Sequence, residues 1–124
     1  GSAQAVRLPR KFRQHPPREV AISAITLFEL QYGARKTRSP RKAENALAKF
    51  LLPLSVIELD PFGAEKAAAI RAHPENRGEP IGPYDLLIAG IALSRNMILV
   101  TNNTNEFGRI DDLQIENWIQ NSGV

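Results

Sequence analysis

Apolar residues along this chain fall into two kinds of run that alternate: short unbroken ones, and longer ones in which the apolar positions recur every three or four residues. Val20 to Ile25 is of the first kind and reads as a buried strand. Thr26 then opens a helix with Leu27, Leu30 and Ala34 at helical spacing, closing near Gly33 to Lys36. Arg41 to Leu52 predicts a second helix with Ala43, Leu47, Phe50 and Leu51 on one face, and Leu54 to Leu59 the next strand. Asp60-Pro61 has the form of a helix cap with proline at the first helical position, ahead of the alanine-rich Ala64 to Ala72. His73 to Pro83, with three prolines and two glycines, predicts a loop. Tyr84 to Arg95 is apolar almost all round, as a helix buried on more than one side would be. Met97 to Thr101 is a continuous apolar strand that stops at the polar run Asn102 to Glu106, and Leu113 to Glu116 is a short last strand. Strands that are unbroken apolar runs and alternate with helices predict an α/β fold, a parallel sheet sandwiched between helices. Residues 1 to 18, with Pro9, Pro16 and Pro17 and no sustained period, separate as a basic N-terminal segment, a tail or short helix ending at His15; residues 19 to 124 form the domain.

Composition narrows the class. The 124 residues are 43% hydrophobic and 23% charged, which fits one globular domain and excludes a disordered or low-complexity chain. The absence of cysteine excludes disulfide scaffolds, thiol nucleophiles and cysteine-held metals, and fits a cytoplasmic setting. The longest uncharged apolar stretches, Val20 to Phe28 and Leu86 to Ser94, are about half of the 18 or more residues that a bilayer requires, so no membrane is expected. No secretory signal opens the chain, and Gly1-Ser2 without an initiator Met has the form of a cloning remnant.

Charge is uneven in a way that bears on partners. Residues 1 to 49 hold eleven Lys and Arg against Glu19, Glu29 and Glu44, net +8, whereas residues 50 to 124 hold five against ten acids, net −5. Arg35, Lys36, Arg38, Arg41 and Lys42 crowd together, as a surface for a polyanion would require. Charge alone does not choose between RNA, DNA and an acidic protein. The low aromatic content, 6%, disfavours base-stacking sheets of the RRM or OB type.

Topology then gathers three polar residues. In a parallel α/β sheet every helix that follows a strand begins at the strands' carboxyl edge, where ligands bind. Glu29 is expected in the first turn after the strand ending at Ile25, Asn103 just past the strand ending at Thr101, and Asp85 in the first turn of the buried helix. Two carboxylates and an amide at that edge make an oxygen set suited to Mg²⁺ or Mn²⁺. Each residue also has a structural explanation: Thr26-x-x-Glu29 fits a capping box, Asp85 suits a helix start, and the Asn run is ordinary turn chemistry. No G-x-S-x-G elbow or Gly-rich phosphate loop is present, and His15 and His73 are the only histidines.

Three blocks carry a resemblance: Ile22-Ser-Ala-Ile-Thr-Leu-Phe-Glu-Leu-Gln-Tyr-Gly33, Pro80-Ile-Gly-Pro-Tyr-Asp-Leu-Leu-Ile-Ala89 and Leu99-Val-Thr-Asn-Asn-Thr-Asn-Glu-Phe107, with Ile115-Glu-Asn-Trp118 after them. The stretch resembles the PIN domain of VapC-type toxins from bacterial toxin–antitoxin pairs. The resemblance implies a metal-dependent endoribonuclease that cuts RNA, often transfer RNA, is neutralised by a VapB-type antitoxin, and forms a homodimer. Carried over position by position, Glu29 matches the family's second acid and Asp85 its third, the metal pair. Asn103 falls at the fourth position, with Glu106 and Thr101 as accessory candidates. Arg35, Lys36, Arg38, Arg41 and Lys42 would hold RNA. The first acid, an Asp ending an N-terminal strand, has no counterpart, since the only Asp residues are Asp60, Asp85, Asp111 and Asp112. In place of that strand, Gln4-Ala-Val-Arg-Leu-Pro-Arg-Lys-Phe-Arg13 resembles the start of a VapB-type antitoxin. Without the strand, a central position in the sheet is expected to stand empty. Two further readings follow: a silent PIN-like module that binds RNA or antitoxin without cutting, and metal-independent histidine cleavage.

Overall fold

The computed structural model describes residues 5–7, 20–73, 81–101 and 103–117 of the chain. Among the described residues, five strands and five helices follow in the order β1 (Ala5–Arg7), β2 (Val20–Ser23), α1 (Ala24–Arg35), α2 (Pro40–Leu51), β3 (Ser55–Ile57), α3 (Pro61–Ala72), α4 (Pro83–Ser94), β4 (Ile98–Val100), α5 (Thr104–Phe107) and β5 (Ile115–Glu116). The sheet order is β3-β2-β1-β4-β5. The pairs β2–β3 and β4–β5 are parallel, as the unbroken apolar runs predict.

The central strand departs from that expectation twice. The middle of the sheet is not empty, because Ala5–Arg7 lies there between β2 and β4. It also runs antiparallel to both, with Val6 opposite Ala21 on one side and Leu99 on the other. The sheet is therefore mixed. The reason lies in the backbone: β2 and β4 each turn a row of N–H and C=O groups toward the gap, and groups left unpaired in the middle of a sheet cost far more than a change of strand direction. Polarity has a consequence for chemistry. Ala5 stands opposite Val100, so it is the amino end of β1, not its carboxyl end, that reaches the edge where β2 and β4 finish. The expected helix before His15, and Trp118 after the last strand, lie outside the described residues.

The core is built mainly from α4 and β4. Ile88, Ala89, Ile91, Ala92 and Leu99 are all but inaccessible to water, joined by Phe107 from α5. Pro83 opens α4, and the helix closes with Met97 N–H bonded to Ala92 C=O and Asn96 N–H to Leu93 C=O, Asn96 taking the left-handed φ of 54°. That closure turns the chain at once into β4 and fixes where Thr101 emerges. On α3, Asp60 caps the helix, its carboxylate accepting from Gly63 N–H at 2.9 Å with Pro61 next to it, as predicted. Gly90 of α4 faces Gly63 and Ala67 of α3 so closely that a Cβ there would lie 2.5 Å from the Gly63 carbonyl oxygen. No described helix is long and apolar enough to cross a membrane.

Candidate functional site

The carboxyl ends of β2 and β4 present buried hydroxyls. Ser23, the last residue of β2, is the N-cap of α1: its Oγ accepts from Thr26 N–H at 3.0 Å and donates to Thr26 Oγ1 at 3.1 Å. This cap corrects the reading of Glu29. With Ser23 at the cap, Thr26 is the third helical position and Glu29 the sixth, in the second turn, so Glu29 belongs to no capping box. The structural explanation for that acid falls away. On the other side of β1, Thr101 is 2% exposed and its Oγ1 accepts from Asn103 N–H at 3.0 Å. Asn103 is the N-cap of the short helix α5, an element absent from the sequence expectations.

Glu106, on α5, is the hub. Its Oε1 accepts from Gly82 N–H at 2.6 Å, and its Oε2 accepts from the Asn103 side-chain amide at 2.9 Å. Gly82 is the N-cap of α4, so these bonds tie the end of β4 to the start of α4, and Asp85 in the first turn of that helix comes into hydrogen-bonding contact with Glu106. Partial burial pushes the Glu106 carboxyl up. The Gly82 amide, the Asn103 side chain, the contact with Asp85 and the charge of Arg109 together outweigh that, and hold it below the usual glutamate range. Glu106 is thus a pre-ionised carboxylate held by two donors. Two carboxyl groups in contact need a proton or a cation between them.

The predicted site residues separate accordingly. Asp85, Asn103, Glu106 and Thr101 come together. Glu29 does not join them: it lines a neighbouring cleft of about 880 Å³ between α1 and the start of α4, with Thr26 and Tyr84. Among the described residues no group of three His, Asp or Glu could hold a metal ion. The two carboxylates that do meet, Asp85 and Glu106, offer oxygen ligands, which suit a Mg²⁺-sized ion when water and a substrate phosphate complete its shell. The basic residues are spread along the end of α1 and the start of α2. Arg35 is paired with Glu44 at 3.1 Å, Lys36 Nζ stands 5.1 Å from the Tyr32 ring centre, and Arg38, Arg41 and Lys42 are exposed. His73 borders a separate pocket with Lys66, Arg109 and Asp111, and His15 lies outside the described residues.

Glu106, an accessory candidate in the sequence, is the residue that sequence reasoning undervalued. Its contact with Gly82 spans 24 positions, and the spacing of Asn103-x-x-Glu106, a cap and its third helical position, was the signal available.

Comparison with known proteins agrees with this architecture. The PIN domain family profile matches residues 4–113. The tRNA(fMet)-specific endonuclease VapC of Shigella flexneri is 41% identical over 100 residues, 81% of this chain and 76% of the relative. The crystal structure of DNA-bound VapBC from Salmonella typhimurium superposes with a TM-score of 0.79 at 41% identity, covering 87% of this chain and 81% of that one. VapBC2 from Rickettsia felis, bound to a promoter DNA fragment, gives a TM-score of 0.75 at 42% identity over 79% of this chain and 74% of that one. With the domain profile matched over most of the chain, the fold shared and 41% of residues identical over 100 positions, the chain belongs to the PIN-domain family and, within it, to the VapC endoribonucleases, the toxin halves of toxin–antitoxin pairs.

Proposed function

We propose that this chain cuts transfer RNA with the help of a Mg²⁺ or Mn²⁺ ion held by Asp85 and Glu106. The observation that carries the reading is the contact between these two carboxyl groups at the carboxyl end of β4, with Glu106 fixed by Gly82 and Asn103. Bound there, a divalent ion supplies neutralisation of the phosphate's charge and a more acidic water. The protein's own part is positional. Asp85 projects from the first turn of the most buried helix, so its backbone stays in place during a turnover. Asn103 holds one Glu106 oxygen and Gly82 the other, which keeps the carboxylate ionised and aimed without reorganisation. Glu29, across the cleft and outside any cap, orients the attacking water or accepts its proton. Arg38, exposed in the turn before α2, and Arg41 and Lys42, exposed in its first turn, hold the phosphate backbone.

Endonuclease relatives favour cutting over a silent binding module. The family's first acid is supplied by no described residue, and the polarity of β1 keeps the end of that strand away from the site. The pair Asp85–Glu106 carries the metal in its stead. In the cell the chain acts in the cytoplasm as a homodimer and is silenced by a VapB-type antitoxin, the partner present in the VapBC structures it resembles.

The test is incubation with a transfer RNA pool in Mn²⁺ or in EDTA, beside Asp85→Asn. Cleavage that needs metal and falls at least about 100-fold in Asp85→Asn, with unchanged circular dichroism, is expected for a residue that stabilises charge in the transition state. Cleavage in EDTA, or an Asp85→Asn variant as active as the parent, overturns the reading.

A further inference from the structure

From the cleft beside Asp85 we infer that the protein has a nucleobase subsite, in which one unpaired base of single-stranded RNA stacks on Tyr32 or Tyr84 while Lys36 takes the adjoining phosphate. This inference rests on the RNA-cutting reading above and adds to it how the substrate is seated. The cleft of about 880 Å³ contains both tyrosines of the chain and Phe28, so a protein poor in aromatic residues concentrates three of them at one place. All three rings stay in water, Phe28 at 49%, Tyr32 at 56% and Tyr84 at 48% exposure. A folded chain leaves adjacent aromatic rings uncovered where something else covers them. Phe28 and Tyr84 meet edge to face with centroids 5.5 Å apart, which gives the cleft a fixed wall from two different helices.

Charge and position select the occupant. Lys36 is exposed, 5.1 Å from the Tyr32 ring centre, and Arg38, Arg41 and Lys42 continue the positive charge along the same helical hairpin. Glu29 is the one acid among the lining residues. Tyr84 directly precedes Asp85, so a base stacked here places its own backbone beside the acids. Rings that accept any base and a cation that accepts its phosphate are the two features of a single-strand platform.

The experiment is fluorescence anisotropy of a labelled single-stranded oligoribonucleotide in EDTA, with the parent, Tyr32→Ala, Tyr84→Ala and Tyr32→Phe, together with copies of the oligonucleotide made abasic at one position each. Both alanine variants remove exposed rings and are expected to keep the parent's circular dichroism. At least one of them is expected to weaken binding about 5- to 150-fold, with Tyr32→Phe close to the parent. One abasic position is expected to weaken the parent by a similar factor and that alanine variant no further. Alanine variants that bind every oligonucleotide like the parent, while the parent cuts transfer RNA, overturn this subsite and leave the nuclease reading standing. A parent that neither binds RNA nor cuts it overturns both. Alanine variants that keep RNA and lose a VapB-type antitoxin assign the cleft to protein and overturn the inference as well.

Discussion

The two helix pairs of this fold differ in how they treat their surfaces. Between α3 and α4 the backbones themselves meet, through Gly63, Ala67 and Gly90, and α4 buries six of its residues. Between α1 and α2 the opposite holds: α2 buries none, α1 only Thr26, and Phe28, Tyr32, Phe50 and Leu52 remain exposed beside the basic residues. The rigid pair carries Asp85 in the first turn of α4, and the uncovered pair borders the cleft next to it. The first fixes where Asp85 points, and the second offers the charge and rings by which a large partner is held. Stability is thus expected to be concentrated on one side and binding on the other, and substitutions can separate them.

The largest effect is expected at Gly90. A side chain there meets the Gly63 carbonyl oxygen at 2.5 Å and Ala67 at 2.8 Å, and backbone atoms cannot swing aside as a flexible side chain does. Gly90→Ala should therefore destabilise the protein by about 3 kcal/mol, at the upper end for overpacking, seen as a lowered urea midpoint. An unchanged midpoint would mean that α3 and α4 are free to part, and the contrast between the two sides would fail.

Next comes Glu106. Glu106→Gln keeps shape and loses charge, and the side chain is only partly buried, so the fold should persist. Cleavage should fall roughly 10- to 100-fold, an effect of about 1.4–2.7 kcal/mol on the barrier, if this carboxylate shares the metal with Asp85. A loss of stability without a loss of rate would make it a strut between α5 and Gly82 alone.

A smaller effect belongs to the basic residues of the uncovered pair. Replacing Arg38, Arg41 and Lys42 together by Gln should leave the melting temperature in place and flatten the dependence of RNA affinity on salt by roughly 0.7 in logarithmic slope for each phosphate that is no longer neutralised. An unchanged slope would remove these residues from the RNA path.

This division also explains what could be read from the sequence. The rigid side was legible because its signals are local and redundant: Asp60-Pro61 marks a cap, the all-round apolar run of α4 admits only a buried helix, and Asp85 stands out among apolar neighbours. The site was legible only in part. Ser23 and Thr26 are both good capping residues one turn apart, and choosing the second put Glu29 a turn too early. The hub role of Glu106 depends on a hydrogen bond to Gly82 far along the chain, which no local pattern records. The direction of β1 was hidden for a different reason. Strand propensity carries no polarity, and only pairing with β2 and β4 together decides which way three residues run.

The smallest effect is also the strictest test of the comparison. Leu52 is 82% exposed and Phe50 59%, both at the end of α2, where the protein gains almost no burial from them. Removing apolar surface that is already in water costs little, so Phe50→Ser and Leu52→Ser should each change the unfolding free energy by no more than about 0.5 kcal/mol. In a core position of α4 the same change would create a cavity and an unsatisfied hydroxyl and cost several times more, about 2–5 kcal/mol. If either serine variant proves as costly as a core substitution, α2 is covered in solution and the uncovered pair is not a surface but half of an interface. If both are silent in the isolated protein, an antitoxin that covers this end of α2 should still bind them more weakly than the parent, and that loss of affinity without loss of stability is the signature of a surface kept open for a partner.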